Sequence, residues 1–348
     1  MAEIAKFWRT NEIPTMLQPP SLKHVPRYPV TTFVAGLALA VTGMWWSGQN
    51  IDGMVMNGRV WANWELWRAL TCTLPHVSIF HVAFNLYWLW TFGTLVERVY
   101  GHLRCAGIFL LLAFGSSLAE FTFSHGGVGL SGVGYGLWVM LWILEKRDTR
   151  FTDAVDYQTS QLFMFWFFLC IVLTVANVMP VGNVAHGVGA LMGALLGLAA
   201  SSRGAVKWKS IVGLMAVVIL GLAGSTVFWP WVNLSRYAEP EVEHTGWEAL
   251  DHDDIPRAVK LLEISTRMRQ APARAWYNLG IAYHRLGKYD DALAAYEHAA
   301  QMPDASSDMQ QAAQQMKDYL IRRRGNSWWK PGNETNTTPV VPDAQTNQ

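Results

Sequence analysis

Residues 183–200 read NVAHGVGALMGALLGLAA. Apart from Asn183 and His186 the stretch is apolar, and Gly189, Gly193 and Gly197 recur every four residues. A helix needs roughly 20 apolar residues to cross a bilayer core, so this run is nearly long enough. Its glycine spacing makes one smooth face, against which another membrane helix can lie closely. An imidazole inside such a run is costly and therefore points to function. The stretch predicts a membrane helix that presents a histidine to a close neighbour.

Working outward, six more apolar runs fall near 29–47, 79–96, 103–121, 129–144, 161–180 and 210–229. Together they predict an all-α polytopic bundle, a six-span core with a seventh span added. The first run follows about 28 mostly polar residues and lacks a cleavage site, so it reads as a retained anchor. Segment 51–70, IDGMVMNGRVWANWELWRAL, is too polar to span and too greasy for a free loop. It is expected to lie in the outer interface, partly helical. Cys72, Cys105 and Cys170 match no disulfide or metal pattern and read as small hydrophobes.

Lys and Arg stay on the cytoplasmic side. With the N-terminus inside, twelve of them (among them Lys6, Arg9, Arg98, Lys146 and Arg203) fall in cytoplasmic segments, against Arg59 and Arg68 outside. Seven spans then leave everything after the last one outside the cytoplasm.

Polar side chains cluster where three spans begin: His76, His81 and Asn85 in PHVSIFHVAFN, Ser131 and Tyr135 in GLSGVGYG, and His186. These spans all run from outside to inside, so the clusters share one depth. Gly132 and Gly136 give the fourth span a small-residue face to match that of Gly189 and Gly193. Ser131 and His186 can therefore come within hydrogen-bond reach, as a nucleophile and its base require. Ser131 opens a helix, whose free N–H groups and positive dipole end suit an oxyanion. His81 and Asn85, four residues apart, share a face and could add donors. Tyr135, one turn after Ser131, could stack on the His186 ring. Glu120, at the end of the third span, is expected at the interface, which leaves a dyad without a third carboxylate.

These residues resemble the rhomboid family of intramembrane serine proteases over about 30–230. Its Gly-x-Ser-Gly appears as Gly129-Leu130-Ser131-Gly132, its His-x-x-x-Asn as His81 to Asn85 with His76 upstream, and its Ala-His with spaced glycines as Ala185, His186, Gly189 and Gly193. Trp67-Arg68, Tyr135 and Glu97 match further family positions. The resemblance implies a Ser131–His186 dyad, and an oxyanion hole from the Ser131 N–H, His81 and Asn85. It further implies no cofactor or metal, and cleavage of membrane-anchored proteins in or beside their transmembrane segment.

The C-terminal part differs in composition. Residues 1–235 carry 24 charged side chains and 236–348 carry 29, a step from roughly 10% to the soluble norm of about 25%. Net charges of +4 and −3 exclude nucleic-acid binding through bulk charge. Residues 273–306, ARAWYNLGIAYHRLGKYDDALAAYEHAAQMPDAS, resemble a tetratricopeptide repeat through Trp276, Leu279, Gly280, Tyr283, Ala292, Tyr296 and Ala299. Residues 239–272 read as a degenerate copy, in which Gly246 and Ala258 keep the period, and 307–324 as a capping helix. The expected division is a cytoplasmic segment 1–28, a membrane domain 29–235, a helical repeat domain 236–324, and a disordered tail 325–348 with Asn-x-Thr sites at Asn333 and Asn336.

The function that follows is an intramembrane endopeptidase of a bacterial cell membrane, acting on transmembrane proteins. Its repeats would bind a peptide or protein outside the cytoplasm. The alternative is a non-catalytic membrane adaptor. A proton-path transporter would need acidic residues or broken helices near the midplane, which the sequence does not clearly offer.

Overall fold

The computed structural model describes residues 19–235, 238–268 and 271–325. The expected tail, with Asn333 and Asn336, lies outside them except for Gly325, as do residues 1–18 of the N-terminal segment. Helices make up most of the described residues, and no strand occurs among them. The chain forms two compact units, Met1–Asn233 and Leu234–Gln348.

Seven long helices make up the first unit: α1 (Pro29–Trp46), α2 (Ile79–Tyr100), α3 (His102–Phe123), α4 (Ser131–Glu145), α5 (Tyr157–Val175), α6 (Asn183–Ser201) and α7 (Gly204–Thr226). All except α4 are long and apolar enough to cross a membrane. At 15 residues α4 spans about 22 Å, short of the roughly 30 Å hydrocarbon core. It is also walled by protein, with Leu137, Leu141 and Leu144 fully buried. The expected run from 129 starts as helix two residues late, because Gly129 takes a φ of +106° that no helix contains.

Glycines set how closely α4 and α6 lie. A Cβ on Gly189 would strike the Gly132 carbonyl, and one on Gly193 the Gly136 carbonyl. Only bare backbone fits at either crossing.

Two buried carboxylates finish helices that have no side-chain cap of their own. Glu97 on α2 accepts the N–H groups of Val30 and Thr31 at 2.9 Å each, plus the Thr31 hydroxyl, at the start of α1. Glu120 on α3 accepts the Ala185 N–H at 2.8 Å at the start of α6. The orphan donors and positive dipole end of a helix make good partners for an anion. α2 contains a five-residue π-helical stretch, Leu89–Gly93, between the turns bearing Asn85 and Glu97.

Segment 51–70 folds around Arg68 with two short helices, Arg59–Asn63 and Arg68–Thr71. Arg68 is buried; its guanidinium meets Glu65 at 2.5 Å and the Asp52 and Val55 carbonyls. Trp67 is 54% exposed, its indole 3.4 Å from the Gly53 carbonyl.

The second unit is built of helical hairpins: α8 (Ala238–Asp251) with α9 (Ile255–Thr266), α10 (Ala273–Arg285) with α11 (Tyr289–Gln301), and α12 (Ser307–Gly325). Gly246 faces Leu262 and Gly280 faces Tyr296, the same crossing one repeat apart. Glu243 joins the hairpins: it is buried on α8, takes Arg274 at 2.5 Å and accepts the Asn278 amide at 2.6 Å, both from α10.

Candidate active site

The loop between α3 and α4 is held from both sides. Gly129 donates its N–H to the Cys72 carbonyl at 3.2 Å. Its missing side chain makes room for the His81 ring, which a Cβ would meet at 2.7 Å. Leu130 donates its N–H to His76 Nε2 at 3.3 Å. His76 Nδ1 lies 2.9 Å from the Leu74 carbonyl and so carries the ring's proton, leaving Nε2 to accept. Burial, and then the neighbouring His81, push His76 down to about 4, so the ring stays neutral. The His76 and His81 rings meet edge to face, centroids 4.8 Å apart.

This loop delivers Ser131 as the first residue of α4. Ser131 Oγ lies 2.7 Å from Nε2 of His186, which is 3% exposed on the first turn of α6. The Tyr135 ring stacks on the imidazole, centroids 4.6 Å apart and planes 28° apart. The Tyr135 hydroxyl donates to the Phe163 carbonyl at 3.3 Å, tying the ring to α5. His186 Nδ1 is buried without a hydrogen-bond partner in the protein. With Nδ1 protonated, Nε2 is free to take a proton from the hydroxyl.

Asn85 is buried on the same helix as His81, and its amide donates to the His81 carbonyl at 2.9 Å. That bond ties one of its two N–H groups to its own helix. Trp67, Arg68 and Glu97 lie outside the cluster around Ser131, holding the loop and the helix start described above. Gly189 and Gly193 act at the α4–α6 crossing.

Glu120 takes a role that its place at the end of α3 did not announce. It is 5% exposed, and it bonds the Ser124 hydroxyl at 2.5 Å and the Ala185 N–H next to His186. The start of α6 needs an acceptor, and α3 supplies it. A lone carboxylate in an apolar run was the signal for this role.

The rhomboid domain family model matches residues 63–203, which include every residue of this cluster. The chain carries a rhomboid domain. A tetratricopeptide repeat model matches residues 245–309 behind it. Rhomboid protease GluP of Bacillus subtilis is 27% identical over 241 residues, 68% of this chain and 46% of the relative. Rhomboid protease GlpG of Photorhabdus laumondii is 33% identical over 158 residues, 42% of this chain and 53% of the relative. Rhomboid protease GlpG of Haemophilus influenzae is 27% identical over 139 residues, 38% of this chain and 69% of the relative. The chain thus spans about half the length of the first two. Within the matched residues, the contact between Ser131 and His186 joins the starts of α4 and α6, 55 residues apart in sequence.

Proposed function

We propose that this protein is an intramembrane serine endopeptidase that cuts membrane-anchored proteins in or beside their transmembrane segment. The observation that carries the reading is the 2.7 Å contact between Ser131 Oγ and His186 Nε2, at the half-buried start of a helix. His186 takes the hydroxyl proton as Oγ attacks the scissile carbonyl. The resulting oxyanion is met by the Ser131 N–H at the head of α4, by His81, and by the second amide N–H of Asn85. As the tetrahedral intermediate collapses, the C–N bond breaks and His186 gives its proton to the leaving amine. Water then attacks the acyl-enzyme, again with His186 as base, and the ester bond to Ser131 breaks. Stacking on Tyr135 keeps the imidazole in line through both halves, a task that falls to it because Nδ1 has no carboxylate.

The charge step near Arg236 divides a membrane domain, 29–235, from a repeat domain, 236–324. Twelve Lys and Arg against two support an N-terminus in the cytoplasm and repeats outside it. A bacterial cell membrane is the setting this layout suits. The repeats recruit substrates or partners, since stacked helical hairpins offer an extended surface for peptides.

The test is cleavage of a membrane-anchored reporter in liposomes by the intact chain, Ser131→Ala and His186→Ala, with fluorophosphonate labelling alongside. The reading expects cleavage and label from the intact chain only. Labelling that persists in Ser131→Ala overturns the nucleophile. Absence of both cleavage and label in the intact chain favours the adaptor.

A further inference from the structure

α4, α5 and α6 leave a groove of 830 Å³ between them. α5 turns Phe163 and Trp166 towards Phe84 of α2, and a different face, with Ser160, Met164 and Phe168, towards the groove. Trp138 and Trp142 of α4 form the facing wall. One end is apolar and reaches Tyr135, the ring stacked on His186. The other end carries Glu145, Lys146 and Asp156. From Tyr135 to Glu145 is ten residues of helix, about 15 Å.

Charge chooses the occupant. An acyl chain, slimmer than a helix about 10 Å across, lies within that length. The apolar end does not hold water well. At the charged end Lys146 sits 4.2 Å over the Trp142 ring and offers a cation to a phosphate. Two carboxylates beside it, Glu145 and Asp156, offer a place to an ammonium group, Asp156 with the oxygen that does not accept the Thr159 N–H. Arg150 is engaged by Asp148 at 2.7 Å and Arg147 by the Ser202 hydroxyl at 3.3 Å. One cation against two acids suits a zwitterionic headgroup better than an anionic one.

We propose that this groove is a phospholipid site that takes an acyl chain of phosphatidylethanolamine, with the headgroup at Lys146, Glu145 and Asp156 and the chain's end against Tyr135. The site stands independently of the protease reading, because its readout is binding. A lipid here backs the ring that positions His186, so its occupancy also bears on how firmly the imidazole is held.

The experiment uses the full chain in liposomes doped with phosphatidylethanolamine bearing a photoactivatable diazirine on its acyl chain. Adducts are mapped by mass spectrometry. The expected result is concentrated labelling of α4 and α5 on their groove faces, competed by unlabelled phosphatidylethanolamine and less by phosphatidylglycerol. Lys146→Ala is expected to cut groove adducts about tenfold, the effect of losing one charge-assisted contact, while adducts on the outward face of α7 stay constant. Val139→Trp, which fills the groove from α4, gives the same loss. Labelling spread evenly over α5 and α7, equal competition by both lipids, or groove adducts unchanged in Lys146→Ala overturns the proposal.

Discussion

Gly129 shows how much a single missing Cβ can determine. Its φ of +106° and the His81 ring against its Cα both forbid a side chain. Gly129→Ala adds backbone strain of about 1–3 kcal/mol to a clash with the imidazole. We expect a lower melting temperature and a loss of fluorophosphonate labelling larger than the melting shift explains, because the strained loop ends at Ser131. Ser131 and His186 were easy to read from the sequence, since polar groups stand out in apolar runs, and the structure brings the two to 2.7 Å. Glu120 and Glu97 were harder. A capping carboxylate is defined by which helix arrives over it, and that partner lies 65 or 66 residues away in the chain. The Asn85 bond to the His81 carbonyl was likewise hidden, because a side-chain rotamer leaves no trace in residue spacing.

At the scale of elements, hydropathy marks the seven helices but not how each one ends. That α4 is too short to cross alone depends on the loop before it, and the π-helical stretch of α2 has no proline and only Gly93, at its end, to announce it. The α4–α6 crossing is the most demanding packing in the membrane unit. Gly193→Val would drive a branched side chain into the Gly136 carbonyl, an overpacking typically worth about 1–3 kcal/mol or more. The helices must part, and Ser131 parts from His186 with them. We expect reporter cleavage to vanish in Gly193→Val while the protein still inserts, as measured by protease protection of its termini. Retained cleavage would mean that the site tolerates a wider crossing.

Taken as a whole, the chain couples a membrane unit that relies on bare glycine contacts to a repeat unit that relies on a buried charge. The repeat period at Gly246 and Gly280 made the hairpins legible. The Glu243 network was not, because the earlier copy has Val242 and Ala249 where Trp276 and Tyr283 stand, and Glu243 falls at a position the pattern leaves open. Glu243→Ala leaves the Asn278 amide and one end of Arg274 without their partner, a loss of about 1–3 kcal/mol. Hydrogen exchange on the full chain should then speed up across α8 and α10 while α1 to α7 are unaffected. Uniform exchange across both units would show that the units are not separately stable.

The brevity of α4 also dictates a schedule during synthesis. A helix of 15 residues that depends on α6 for its smooth face has little to hold it while α6 is still inside the ribosome. In the proposed mechanism Ser131 therefore enters the membrane well before its base, His186, is made. Chains stalled before Asn183 should take no fluorophosphonate, and chains released past Ser201 should take it fully. The newborn protein is unarmed while its own spans are being threaded beside it.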